Sequence, residues 1–171
     1  MSCNLTQNYV LDCKESLGGL KAVYFIESGN VEGYTSDSFQ VVTGITLASG
    51  KYFYKYDLVK ETSSFTETVT ASVQNGTVFY AQELTIVLNK LQANTRNEIL
   101  LLAKNTLVAI AEDRNGAYWL LGKDNGMDIT GGTAASGVAA GDRSGYELTF
   151  SAQEAALAPE VSSSIIASLI D

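Results

Sequence analysis

The sequence predicts a mainly β protein, an antiparallel β-barrel or sandwich with one flanking α-helix and a long β-hairpin. Two long alternating segments flank Asn75-Gly76, and a second pair of strand-like segments flanks residues 113–116. Only the stretch that begins at Thr95 combines a capping signal with the apolar spacing of a helix. With 171 residues and no internal repeat, the chain has the length of one domain, 1–171.

Two arms are expected at the ends of this domain, and the first strands follow the N-terminal arm. That arm covers about residues 1–18, and a C-terminal arm or weak helix covers about residues 157–171. Residues 22–26 form a β-branched and aromatic run typical of a buried strand, and residues 40–47 form another. The alternating pattern of residues 52–59 predicts a half-buried strand with one tyrosine face, formed by Tyr52, Tyr54 and Tyr56.

The clearest prediction is a hairpin over residues 63–86. Asn75-Gly76 is favoured in two-residue type I′ turns because both residues tolerate a positive φ, and such a turn sets Val73 opposite Val78. About ten residues per strand, at about 3.3 Å each, give a ribbon roughly 33 Å long. This is long for a domain of this size, so we expect part of the hairpin to reach beyond its own core.

The two faces of the predicted hairpin differ in chemistry. One face, which we name the apolar face, carries Phe65, Val69, Val73, Val78 and Tyr80. The opposite face, which we name the hydroxyl face, carries short polar side chains, with Glu83 predicted opposite Thr68. Its other members are Ser64, Thr66, Thr70 and Ser72.

A helix and a second hairpin are predicted next. Thr95 and Glu98 fit a capping box, and an apolar stripe follows, formed by Ile99, Leu100, Leu102 and Ala103. Residues 107–112 and 117–122 then pair across the turn 113–116. Because both faces of this second hairpin are apolar, we expect it to be central or to lie in an interface.

The C-terminal third contains a glycine-rich stretch and a closing strand. Residues 131–141 carry neither a P-loop nor a dinucleotide fingerprint, so we interpret the region up to about residue 144 as a flexible surface loop. Tyr146, Leu148 and Phe150 alternate with polar residues and predict the closing strand.

Composition argues against several classes of function. The chain has no histidine, which removes the usual general base near neutral pH. Two cysteines without histidine cannot supply the four ligands of a structural zinc site. The pairs Asp124 with Asp128 and Glu112 with Asp113 could meet in a cleft, but acids at turns and strand ends are common. We therefore predict that the protein is not an enzyme, with no catalytic residue, metal or cofactor.

The charge pattern argues against nucleic-acid recognition. The chain has 19 acidic and 11 basic residues, a net charge of −8, and its basic residues are scattered singly instead of forming a stripe. Charged residues make up 18% of the sequence, below the roughly 25% of soluble domains, which favours a protein with partners. Neither a membrane-spanning run nor a signal peptide is apparent, so we expect synthesis in a cytoplasm and no membrane partner.

The last third of the chain carries turn glycines and strand residues that resemble one family. They are Trp119-Leu120-Leu121-Gly122, residues 125–133, Gly137, Asp142, Gly145-Tyr146 and Leu148-Thr149-Phe150. In these residues the chain resembles small tail-tube-type proteins of bacterial viruses. Proteins of that family have a β-barrel or sandwich with one helix at its side. They assemble as stacked rings, commonly hexameric, around a channel for DNA.

The resemblance implies a virion structural protein, a tail tube subunit of a bacteriophage, made in the cytoplasm of the bacterial host. Its partners would be copies of itself and other virion proteins, with transient, non-specific passage of DNA. Hairpins and sheet edges would pair between neighbouring subunits. The expected assembly hairpin consists of Phe65, Val69, Val73, Asn75, Gly76, Val78 and Tyr80.

The hydroxyl face has the composition that such a channel requires. Hydroxyls and carboxylates do not hold phosphate groups, whereas lysine and arginine do. We therefore expect the hydroxyl face to line the channel.

Two other functions remain open. One is another virion structural protein, such as a head decoration, neck or tail completion subunit. The other is a small-ligand-binding β-barrel with a pocket lined by Tyr52, Tyr54, Tyr56 and Trp119.

Overall fold

The computed structural model of the chain describes residues 5, 7–11 and 13–171. Strands make up 48% of the chain and helices 13%, which confirms the predicted mainly β class. Of the predicted N-terminal arm, residues 1–4, 6 and 12 lie outside the described part. The elements are β1 (Leu20–Glu27), β2 (Val31–Ser36), β3 (Val42–Leu47), β4 (Tyr54–Asp57), β5 (Ser64–Ser72), β6 (Thr77–Asn89), α1 (Ala93–Lys104), β7 (Leu107–Asp113), β8 (Tyr118–Leu121), β9 (Asp128–Ala135), β10 (Gly145–Glu154), β11 (Glu160–Val161) and α2 (Ser163–Leu169).

The strands form two sheets. The larger sheet has seven strands in the order β2-β3-β11-β8-β7-β1-β4. The smaller sheet has four strands in the order β5-β6-β10-β9, and every neighbouring pair in it is antiparallel. The second predicted hairpin, β7-β8, lies in the interior of the larger sheet, because β7 pairs with both β1 and β8. Its predicted central position is therefore correct.

Hydrophobic clusters lie on both faces of the larger sheet. The first cluster joins the two sheets, because Phe25 of β1 packs in it together with Ile86 of β6 and Phe150 of β10. The second cluster combines Ile110 of β7 with Ile166 of α2. The larger sheet thus has apolar contacts on both faces, whereas the smaller sheet uses one face for the core and turns the other outward.

The long hairpin is present as β5-β6, but its register differs from the prediction by two residues. Ser72 pairs with Thr77 and Ala71 pairs with Val78, so the connection is the four-residue loop 73–76. Gly76 has a φ of 64°, whereas Asn75 is not among the residues with positive φ. A type I′ turn needs positive φ at both central residues, so that predicted turn is wrong.

The register shift changes the partners of the side chains without changing their faces. Side chains alternate with a period of two, so a shift by two residues keeps each one on its predicted side. Glu83 consequently lies opposite Thr66 and not opposite Thr68. The division into an apolar and a hydroxyl face is retained within the strands, but Val73, predicted opposite Val78, lies in the loop, and Val78 pairs with Ala71.

The predicted capping box of the helix is wrong. Helix α1 begins at Ala93, and Gln92 is its N-cap, without a side-chain hydrogen bond to the helix. The backbone N–H of Arg96 donates to the carbonyl of Gln92 at 3.1 Å, which places Thr95 inside the first turn. Leu100 of the predicted apolar stripe is exposed, and Leu102 is buried.

Two further boundaries differ from the prediction. Residues 131–135 were predicted as loop but belong to β9, which pairs with β10 with one register shift between Thr149 and Phe150. A Cβ at Gly132 would lie 2.9 Å from Leu148 Cδ2, so glycine permits the close approach of these two strands. The tyrosine strand begins only at Tyr54, because Phe53 is buried and its N–H donates to the carbonyl of Leu169 at 2.8 Å. Tyr52 lies outside the strand and is exposed.

Candidate assembly surface and channel face

The outward face of the smaller sheet is mostly polar, and it also includes Ala81, the half-buried Phe79 and the buried Val87. Residues directly opposite each other in paired strands project to the same side of a sheet, so the hydroxyl face of β5 continues across β6, β10 and β9. The hydroxyl oxygens of Thr85 and Thr149 are 3.5 Å apart. Successive rows from the hairpin tip are Ser72-Thr77, Thr70-Phe79, Thr68-Ala81-Gln153, Thr66-Glu83-Ser151-Asp128, Ser64-Thr85-Thr149-Gly131 and Val87-Glu147-Thr133.

The charges of this outward face are negative. Glu83, Glu147 and Asp128 belong to its rows, and none of the row residues is lysine or arginine. Arg143, in the loop before β10, places its Nη2 3.0 Å from Glu147 Oε2. Arg143 and Glu147 therefore neutralise each other, and the acids that the rows present to solvent without such a partner are Glu83 and Asp128.

The smaller sheet ends in two strands, β5 and β9, that are each paired on one side only within the described chain. Natural proteins usually protect such edges with lysine, proline or bulges. Strand β5 has nine residues without lysine or proline, and its pairing with β6 has no register shift. An edge of this kind is a template for a strand from another chain.

Gln82 and Glu67 mark the point at which the hairpin leaves its own core. Gln82 is 2% exposed, and its Nε2 donates to Glu67 Oε1 at 2.9 Å. The backbone N–H of Gly122 donates to Gln82 Oε1 at 2.9 Å, which ties the hairpin to the larger sheet. On the base side of this contact, Phe65 packs against the core with its ring 6.4 Å from that of Trp119.

On the tip side of this contact the apolar face is largely exposed. Val69 and Val78 are each 56% exposed, and Val73 is 98% exposed. Tyr80 is half-buried. We name these four residues the distal patch. The hairpin therefore extends beyond its own core, as the sequence predicted, and Asn75 and Gly76 lie at its exposed tip.

The structure brings the predicted residues together on one ribbon and adds residues that were not predicted. Thr149 and Ser151 of β10 and Thr133 of β9 share the outward face with the hairpin. The alternation of Glu147, Thr149, Ser151 and Gln153 is visible in the sequence. The sequence does not determine the register of this strand, and therefore does not show which face of which sheet these side chains join.

Glu112, which is buried, and Asp113, which is half-buried, have structural partners outside this surface. Glu112 Oε1 lies 2.7 Å from Lys21 Nζ, and its Oε2 accepts a hydrogen bond from Tyr24 at 3.0 Å. Burial, together with this hydrogen bond, raises the pKa of Tyr24 well above its usual value. Asp113 accepts backbone hydrogen bonds from Asn115 at 2.8 Å and from Ala117 at 2.9 Å, within the β7-β8 turn.

Aromatic residues considered for a ligand pocket lie on different surfaces. Tyr54 and Tyr56 line a cavity of about 230 Å³ beside α1, whereas Trp119 lines a separate cavity of about 440 Å³. Tyr52 lines neither of these cavities. Among the described residues, no group of three His, Cys, Asp or Glu side chains is placed to hold a metal ion. No helix in the described part of the chain has the length and apolar character needed to cross a membrane.

Comparison with known proteins gives no family assignment. No protein-family model, curated protein or solved structure matches the chain. The tail-tube resemblance therefore stays a hypothesis that depends on the residues named above and on the geometry of the smaller sheet.

Proposed function

We propose that the protein is a virion structural protein, a tail tube subunit of a bacteriophage that assembles into stacked, commonly hexameric rings around a channel for DNA. The observation that carries the proposal is the smaller sheet, whose outward face is rich in hydroxyls and acids and whose two edge strands are each paired on one side only within the described chain. One surface thus combines a channel lining with two sites for subunit pairing.

The direction of the strands supports a ring. In the order β5-β6-β10-β9 every neighbour is antiparallel, so β5 and β9 run in opposite directions. If β9 of one subunit is placed beside β5 of the next, the new pair is again antiparallel, as in the rest of the sheet. Repetition of a head-to-tail contact of this kind closes into a ring when the rotation per subunit permits it. The smaller sheets would then form a closed barrel.

The distal patch supports contacts beyond this edge pairing. Val69 and Val78 are more than half exposed and Val73 is almost fully exposed, and exposed apolar groups of this kind mark protein interfaces. In the assembly, the hairpin tip contacts a neighbouring subunit, in the same ring or in the next. The other virion proteins bind at the ends of the tube.

In this function the protein acts through its shape and its contacts with other subunits, and it catalyses no reaction. It needs no catalytic residue, metal or cofactor, and it is located in the virion tail after synthesis in the host cytoplasm. DNA passes along the outward face transiently, without recognition of base or phosphate, because hydroxyls and carboxylates do not retain the backbone. A head decoration, neck or tail completion subunit is the second candidate, because it too would use an exposed edge and an apolar tip.

Electron microscopy of the purified protein tests the proposal. We expect rings or tubes whose inner wall is the outward face of the smaller sheet. Compact monomers at high protein concentration would contradict assembly. Rings with Ser64, Thr66 and Thr68 on the outer surface would contradict the channel role and favour another virion protein.

A further inference from the structure

The dipeptide Asn-Gly occurs three times in the chain, at 75–76, 115–116 and 125–126, and each copy lies in a connection between two strands. Asn-Gly is the dipeptide most prone to spontaneous deamidation, because glycine has no Cβ to hinder attack by its own backbone nitrogen. We propose that Asn75 is a deamidation site of this protein and that the fold protects Asn115 and Asn125. The inference concerns covalent modification of the chain and does not depend on the proposed function.

The reaction needs only water as a co-reactant. The backbone nitrogen of the glycine loses its proton and attacks Cγ of the asparagine, so a C–N bond forms. The bond between Cγ and Nδ2 breaks, and Nδ2 leaves as ammonia after taking up a proton. Water then opens the cyclic imide at either carbonyl, which gives aspartate or isoaspartate. No oxidation or reduction occurs, but the side chain must be free to rotate towards the backbone.

At Asn75 the structure leaves this rotation free. The residue is exposed, and within the described chain its side-chain amide makes no hydrogen bond. The backbone N–H of Asn75 donates to Ser72 Oγ at 3.3 Å. This bond involves only the backbone of Asn75, so it does not constrain the side chain. Gly76 follows in open space, because a Cβ placed there would meet no atom within 4 Å.

At Asn115 both reacting groups are held. The side-chain Oδ1 accepts from Leu17 N at 2.7 Å, and Nδ2 donates to the carbonyl of Leu17 at 2.9 Å. Nδ2 also lies 3.4 Å from Ser16 Oγ. The attacking nitrogen is held as well, because Gly116 N–H donates to the carbonyl of Asp113 at 3.3 Å. Cyclisation here must first detach the N-terminal arm from the turn.

At Asn125 the side chain is bonded and the glycine is buried. Nδ2 donates to the carbonyl of Gln153 at 2.7 Å, and the backbone N–H donates to Glu154 Oε1 at 2.9 Å. Gly126 is buried, and a Cβ there would collide with Thr106 Cγ2. The backbone rotation that cyclisation requires would disturb the packing of this turn.

The difference in rate should be measurable. A barrier lower by about 1.4 kcal/mol corresponds to about a tenfold faster reaction. The hydrogen bonds that Asn115 and Asn125 must break are sufficient for a difference of that size. We therefore expect Asn75 to deamidate at least about tenfold faster than either of the other two in the folded chain.

The test is a time course on the purified full-length protein in mildly alkaline buffer, followed by tryptic digestion and mass spectrometry. Cleavage after lysine and arginine places the three sites in different peptides, 61–90, 115–123 and 124–143, so each rate is measured separately. Fragmentation that distinguishes isoaspartate identifies the product. Asn75→Gln should abolish the fast conversion, because the longer side chain does not form the five-membered ring readily.

The unfolded chain is the matched control. In urea all three sites should react at similar rates, because the local dipeptide is the same and the structural protection is lost. Asn115 or Asn125 reacting as fast as Asn75 in the folded protein would overturn the proposal. A large difference between the sites that persists in urea would overturn it too, since the cause would then be local sequence.

Discussion

At the residue scale, buried polar side chains hold the turns that position the smaller sheet. Glu154, 4% exposed at the end of β10, accepts hydrogen bonds from the backbone N–H groups of Asp124 and Asn125. The turn between β8 and β9 is therefore attached to the strand that lies at the centre of the outward face. Gln82 serves the hairpin in the same way through its contact with Gly122.

Removal of the Glu154 carboxylate should destabilise the protein. Glu154→Ala leaves two backbone donors without their acceptor, so we expect the free energy of unfolding to fall by about 1–3 kcal/mol. Urea denaturation measures the change. Glu160→Ala, at an exposed position of β11, is the control and should change the free energy of unfolding by less than about 0.5 kcal/mol. Equal effects of the two substitutions would contradict the structural role of Glu154.

Partly buried tyrosines should make stability depend on pH in the alkaline range. Burial, followed by the negative charge of Glu98, raises the pKa of Tyr56 to about 12, and burial likewise raises the pKa of Tyr34 to about 12. The unfolded chain releases these protons near pH 10, so the stabilisation is complete below about pH 10 and is lost as the pH rises towards 12.

Tyr56→Phe should therefore reduce the loss of stability between pH 10 and 12, a range set by the usual pKa of tyrosine and the raised pKa of Tyr56. Urea denaturation at a series of pH values measures the slope for wild type and variant. Tyr52→Phe, at an exposed position just before the strand, controls for the substitution itself. An unchanged alkaline slope in Tyr56→Phe would show that this residue does not contribute.

At the element scale, local patterns predicted strands well where apolar residues are concentrated. The run at 22–26, the second hairpin and the strand of Tyr146, Leu148 and Phe150 are all present, because each lies in a core. Strands β2, β9 and β11 were missed. Strand β9 is composed largely of Gly, Ala and Thr, and β11 has two residues. Strand β9 is a strand because it pairs with β10, and β11 because it pairs with the distant strands β3 and β8, and not because of their own propensity.

The register of the paired strands was the second feature that the sequence did not predict. It determines which residues lie side by side on the outward face. The sequence identified the two faces of the hairpin, because the period of two follows from side-chain direction alone. The loop length, which sets the partners, depends on backbone angles that Asn75 and Gly76 do not fix. The extension of the outward face to Thr149 and Ser151 required contacts between residues more than 60 positions apart in the chain, such as the pair Thr85 and Thr149.

The hairpin tip should be needed for assembly and dispensable for folding. Val73 and Val78 are 98% and 56% exposed, so Val73→Lys with Val78→Lys should change the free energy of unfolding by less than about 0.5 kcal/mol. Two charges in the distal patch must lose solvent when the tip meets a neighbour, and we expect assembly to be lost. Sedimentation and electron microscopy measure the extent of assembly. Ser164→Lys with Ala167→Lys, on the exposed side of α2, adds the same charge elsewhere and should assemble.

At the scale of the whole molecule, the proposed function depends on the absence of basic residues from the rows of the outward face. The net charge is −8, yet the outward face carries its acids among many hydroxyls and has no lysine or arginine in its rows. Electrostatic effects are screened over about 8 Å at physiological salt, so only DNA close to the wall senses them. A channel lining of hydroxyls and a few carboxylates repels the duplex weakly, so the DNA stays mobile.

Lysine on this wall should convert a passive channel into a DNA-binding one. Thr66 and Thr68 are exposed on β5, so Thr66→Lys with Thr68→Lys should fold and assemble while placing two cations per subunit on the lining. Each phosphate that they neutralise adds about 0.9 to the slope of log affinity against log salt. We expect assembled wild-type tubes to retain no DNA and the variant tubes to retain it at low salt and release it at high salt. Ser164→Lys with Ala167→Lys is the control for added charge. Equal DNA retention by that control would place the binding outside the channel and contradict the assignment of this face as its lining.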